Sequence, residues 1–86
     1  MPEISNELKW VTSARNLEGF SLALAFNDGS RRIFDCEPLI EQYPIFAPLR
    51  DKAVFECFDL DGWTVTWLKG TIDIAPEYLY EQSKVA

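Results

Sequence analysis

Residues 20–35 read Phe20-Ser21-Leu22-Ala23-Leu24-Ala25-Phe26-Asn27-Asp28-Gly29-Ser30-Arg31-Arg32-Ile33-Phe34-Asp35. Large apolar side chains (Phe20, Leu22, Leu24, Phe26) alternate with small ones (Ser21, Ala23, Ala25). A period of two marks a strand with one face in the core. Asn27-Asp28-Gly29 then supplies a turn whose glycine can take positive φ. Loop length sets the register. A three-residue loop with a bulge at Gly29 places Phe34 across from Leu22, whereas a two-residue turn places Asp35 there and buries a charge. The bulged hairpin is expected.

A second hairpin is expected from residues 55–68, turning at Asp61-Gly62. A two-residue turn sets Leu60 opposite Trp63, Phe58 opposite Val65 and Glu56 opposite Trp67 on one face. Cys57 with Thr66, and Asp59 with Thr64, fall on the other, as a sheet with one wet side requires. Residues 8–14 make a plausible leading strand with weak alternation at Leu8, Trp10 and Thr12.

Pro38 suits a first helical turn, Leu39, Ile40 and Tyr43 share one side, and Pro44 ends the helix. Ile45, Phe46, Pro48 and Leu49 read as an apolar strip over the core, and Asp51 as the cap of a further turn. Pro76 and Glu77 open a last helix that Leu79 and Tyr80 dock, with residues 83–86 fraying. The expected fold is α+β and β-dominated. It has an antiparallel sheet of four to five strands on two hairpins and helical pieces near 38–43 and 76–82, in a single domain 1–86.

The chain has 86 residues, eight Lys and Arg, fourteen Asp and Glu, and no histidine, for a net charge of −6. A chain this size buries about 64% of its surface, enough for one thin core. A deep cofactor pocket would need a second subunit to complete it. Without histidine the commonest neutral-pH base and metal ligand are missing, as is every Ser-His or Cys-His nucleophile pair. Net negative charge argues against nucleic acid and anionic membrane as partners. Met1-Pro2-Glu3-Ile4-Ser5 lacks a secretory signal, and the apolar run 20–26 is too short to span a bilayer. Cys36 and Cys57 read as reduced, half-buried thiols. A cytoplasmic protein is expected.

Asp59-Leu60-Asp61-Gly62 fails as a calcium loop. With Gly62 at the sixth position, the first would be Cys57 and the twelfth Leu68, and neither offers a carboxylate. Asp59, Asp61, Asp73 and Glu77 lack a cleft to pair them, and read as turn and helix-start acids. Asp73, between Ile72 and Ile74, is the acid with most reason to be buried. Cys36, just before Glu37-Pro38, sits at a helix start where a thiolate would be favoured, yet a small apolar role fits it better. The glycines match neither dinucleotide nor phosphate loops. No catalytic residue, metal site or cofactor is expected.

Trp63 and Trp67 are expected in the core. The sharper reading has one of them, or Tyr78 or Tyr80, reaching the surface as an interface anchor. Arg31 and Arg32 read as a solvated edge. Between residues 53 and 81, Glu56, Asp59, Asp61, Asp73, Glu77 and Glu81 face only Lys69.

The pieces Leu24-Ala25-Phe26-Asn27-Asp28-Gly29, Ile33-Phe34-Asp35, Phe46-Ala47-Pro48-Leu49-Arg50-Asp51, Val54-Phe55, Trp67 and Ile72-Asp73-Ile74-Ala75-Pro76-Glu77-Tyr78-Leu79-Tyr80 occur in this order. Together they resemble the small bacterial domain of unknown function 2442, from about Leu8 to Ser83. Ala75 departs from the family pattern, which often has a helix-capping Asp there. The resemblance implies a compact α+β fold and no established activity. Some members carry a helix-turn-helix after this module, for which this chain has no room. Others sit beside candidate toxin-like partners. The function expected is a non-catalytic interaction or regulatory module. Its partner would be a protein, such as a basic toxin-like one suited to the acidic surface, or a second copy. The alternative is a small carboxylate-using enzyme or ligand binder with Asp59 or Asp73 at a subunit interface. Its candidate residues overlap with those for an interface: Trp63, Trp67, Asp59, Asp73, Tyr78 and Tyr80.

Overall fold

A computed structural model describes residues 8–86; the amino-terminal signal reading rests on residues outside that range. Strands β1 (Val11–Asn16), β2 (Ser21–Phe26) and β3 (Arg31–Asp35) lead. Helix α1 (Glu37–Gln42), a 3₁₀ helix (Pro44–Arg50) and α2 (Lys52–Glu56) follow. Strands β4 (Asp59–Leu60), β5 (Val65–Trp67) and β6 (Ile72–Asp73), helix α3 (Pro76–Gln82) and strand β7 (Lys84–Val85) complete the chain. A four-stranded antiparallel sheet has the order β1-β2-β3-β7, and a three-stranded one the order β4-β5-β6. The fold is α+β, with helix and strand in similar proportion rather than strand dominating.

The first hairpin adopts the bulged register: Leu22 lies opposite Phe34, and Phe26 N–H bonds Ser30 O around a three-residue loop. Gly29 has φ +87°, and Asp28 accepts from the Ser30 amide. Leu22, Leu24, Phe26 and Phe34 all point into the core. Arg32, opposite Leu24, also turns inward: its guanidinium carbon lies 4.0 Å from the Tyr80 ring centre. Of the two arginines expected at a solvated edge, only Arg31 is exposed.

The leading strand spans Val11–Asn16 instead of 8–14, and its register slips between Val11 and Ser13. Val11 and Ala14 both face inward as a result, and no strict alternation is left to read. At the far edge residues 84 and 85 do not fray. Lys84 pairs with Ile33, Val85 with Arg32, and Ala86 N–H bonds Arg31 O.

The second hairpin departs from its expected register. Leu60 pairs with Val65 and Asp59 with Thr66, so four residues, not two, make the loop. Asp61 is the reason: its carboxylate accepts from the Trp63 and Thr64 amides, and its own N–H bonds Thr64 O. The shift is even, so Leu60 and Val65 stay on one face and Asp59 and Thr66 on the other, but that second face is not the wet side expected: Thr64 and Thr66 are both buried. Phe55 and Glu56 belong to α2 instead of a strand, because the Asp51 side chain caps that turn by accepting from Ala53 N–H. One core joins both sheets: Leu22, Leu24 and Phe34 pack in the same cluster as Phe55, Val65, Trp67, Ile72 and Leu79.

Candidate functional site

Proline geometry builds the site. Pro44 clashes with a helical preceding residue, so Tyr43 is forced to an extended φ of −120° and α1 stops there. That bend takes Tyr43 off the buried side shared by Leu39 and Ile40, and leaves it half exposed. The 3₁₀ helix turns Leu49 inward while Ile45 projects into solvent at 61% exposure, contrary to a strip lying flat on the core. Tyr43 and Phe46 meet edge to face at 6.4 Å.

The opposite wall comes from β6 and the start of α3. Thr64 Oγ1 donates to Ile74 O and holds that segment against β5. Ala75 occupies the N-cap of α3 without a side-chain hydrogen bond, so the helix starts on Pro76 alone. Tyr78, in its first turn, rests edge-on against Phe34 at 6.2 Å and leaves 42% of its surface in solvent. Between the walls lies an open cleft of about 330 Å³, with Leu39 and Ile74 among its lining. Asp73 is its one charged lining residue among the described residues. It is exposed, not buried as its apolar neighbours suggested.

The six candidates separate. Asp73 and Tyr78 meet in the cleft. Trp67 does not reach the surface: it is fully buried, stacked on Phe55 at 5.9 Å, and its indole N–H donates to Phe55 O at 2.9 Å. Trp63 is half exposed and stacks on Trp10 at 5.7 Å, away from the cleft. Tyr80 ties α3 to the first hairpin, its hydroxyl donating to Asp28 at 2.7 Å. Asp59 is exposed beside Cys57 and Lys69 in a separate shallow recess. Asp59 and Asp73 flank Thr66 from opposite strands, so the sheet keeps the two carboxylates apart instead of pairing them. Tyr43 and Ile45 were missed as site residues. Their signal was the bracketing pair Pro44 and Pro48, which keeps α1 from continuing as one α-helix with a single apolar face.

Electrostatics elsewhere are structural. Hydrogen bonds from Ser30, the bond from Tyr80 and the nearby Lys9 ammonium hold Asp28 well below the usual carboxylate range. Amide bonds from Thr64 and Trp63 lower Asp61. Burial pushes the Cys36 thiol up to about 12, which removes it as a nucleophile despite its place at the start of α1. Cys57 is exposed, so the two thiols are not alike. Among the described residues no cluster of Cys, Asp and Glu converges to hold a metal ion, and no helix is long and apolar enough to cross a membrane.

An open apolar cleft without a nucleophile or paired carboxylates can receive a side chain from another protein. Covering three half-exposed apolar side chains contributes roughly 1 kcal/mol each. No curated protein and no solved structure matches the chain. One family model does, that of the protein of unknown function DUF2442, over residues 11–85.

Proposed function

The chain belongs to the DUF2442 family, and we propose that it is a non-catalytic protein-interaction module that seats an apolar side chain of a basic partner segment in the cleft. The observation carrying this reading is the convergence of Tyr43, Ile45 and Tyr78, all substantially exposed, on one apolar cleft whose single charged lining residue among those described is Asp73. Exposed large apolar groups gathered in one place favour a partner more than scattered ones do. The acid at the rim, with Glu77 next to Tyr78, favours Lys or Arg flanking the inserted group. A basic toxin-like protein would present such a segment.

Selection of displayed ten-residue peptides on the immobilised protein tests this. Enrichment of an aromatic or aliphatic residue flanked by Lys or Arg, lost with Ile45→Asp, is expected. Absence of enrichment, or enrichment indifferent to Ile45→Asp, contradicts it.

A further inference from the structure

The face of the four-stranded sheet turned away from the core carries a different chemistry. One row across it runs Arg15, Ala23, Ile33, Lys84, and the next Ser13, Ala25, Arg31. Its centre is therefore small and apolar, with Ile33 39% exposed. Its borders are cationic: Arg15 on β1, Arg31 on β3 and Lys84 on β7, all exposed. The ion pairs among the described residues involve Lys9 and Arg50, and none of them engages these three cations. The one acid in the four strands, Asp35, accepts from the Glu37 amide at the end of the face. A chain of net charge −6 has thus gathered three uncompensated cations around an alanine floor. Among the described residues no helix covers that floor: α3 and α1 contribute Leu79, Leu39 and Ile40 to the core on the other side.

We infer that this face docks an acidic amphipathic helix of a partner protein, its aliphatic stripe on Ala23, Ala25 and Ile33 and its carboxylates at Arg15, Arg31 and Lys84. The dimensions suit a helix. Three strand spacings of about 4.8 Å separate Arg15 from Lys84, roughly 14 Å, and a helix with its side chains is about 10–12 Å across. An extended segment laid on a sheet face would bury unpaired backbone groups, whereas a helix satisfies its own. A nucleic acid fits less well: among the described residues no aromatic side chain lines the face for base stacking, and the net charge opposes a polyanion. A helix needs only a few carboxylates, and supplies apolar contact as well. The site is independent of the cleft, which lies on the core side of the sheet.

Fluorescence anisotropy with a labelled synthetic helix tests the inference. One helix carries an Ala/Leu stripe flanked by Glu, and a control carries Lys in place of every Glu. The acidic helix is expected to bind with an affinity that falls as salt rises, and the basic one not to bind. Arg15→Glu with Arg31→Glu should weaken binding at least about tenfold with an unchanged thermal unfolding midpoint. Ala23→Arg should block it sterically, while Ile45→Asp in the cleft should leave it intact. Failure of the acidic helix to bind, or binding indifferent to the arginine reversals, overturns the inference. So does concentration-dependent self-association that the reversals abolish, which would give the face to a second copy. Tighter binding of single-stranded DNA than of the acidic helix, abolished by the same reversals, would overturn it too.

Discussion

The two hairpins of this chain share an Asp-Gly turn, and are held by different things. In the first, four large side chains on alternate positions (Leu22, Leu24, Phe26 and, across from them, Phe34) all reach the core. A slip of one residue in β3 would turn Phe34 out to solvent and set Asp35 opposite Leu22 on the core face, so burial selects the register. In the second, the ladder between β4 and β5 has two residue pairs. So short a ladder cannot select a register against its turn, and Asp61, accepting from two loop amides, decides it. Long alternating strands are governed by side-chain burial; short ones are governed by polar bonds made locally.

That contrast explains what could be read in advance. The first hairpin, its loop, the Asp51 cap and the helix at 76–82 rest on periodicity, glycine, proline and capping chemistry, all written in consecutive residues. The second register depended on Asp61 making three loop bonds in place of one turn. The strand at 84–85 depended on an open edge of β3, and β1 on a bulge that hid its alternation. The open edge of β3 is a tertiary fact, whereas the Asp61 bonds are local and decide between two turns that Asp61-Gly62 alone leaves open. The cleft was half legible: Asp73 and Tyr78 stood out as an acid and an aromatic, but the outward turn of Tyr43 and Ile45 comes from two prolines acting on backbone angles.

Several substitutions would break or sharpen the contrast between burial and local polar bonding. Trp67→Ala removes the largest fully buried side chain and should destabilise by about 3–5 kcal/mol, enough to abolish a cooperative urea transition in so small a domain. Leu22→Ala, the matching deletion in the first region, should cost about 2–5 kcal/mol. A small loss at either site would mean that the two sheets do not share one core. Trp67→Phe keeps an aromatic ring but loses the pyrrole part of the indole and strands Phe55 O, and should cost about 1–3 kcal/mol in the same assay. Loss of a few tenths only would show that apolar packing, not this bond, fastens α2 to β5. Asp51→Ala should cost about 1 kcal/mol through the lost cap, with helical circular dichroism reduced slightly.

Acid should act through the two turns together. Asp28 and Asp61 both have folded pKa values below the ordinary carboxylate value near 3.9. Each adds stability that is present above that value and lost as pH falls from it toward the folded value. With no histidine to titrate, unfolding midpoints should be flat between about pH 5 and pH 7 and fall below about pH 4. Asp28→Asn should shallow the acid limb, and so should Asp61→Asn. A midpoint that rises on acidification would show that these carboxylates repel more than they bond.

The interaction reading is tested most directly by amide chemical-shift mapping with an apolar peptide flanked by lysines. Saturable shifts are expected at Leu39, Tyr43, Ile45, Phe46, Ile74 and Tyr78, absent in Ile45→Asp, with the first hairpin unmoved. Saturable binding whose shifts fall outside the cleft, or no binding by any such peptide, would contradict it.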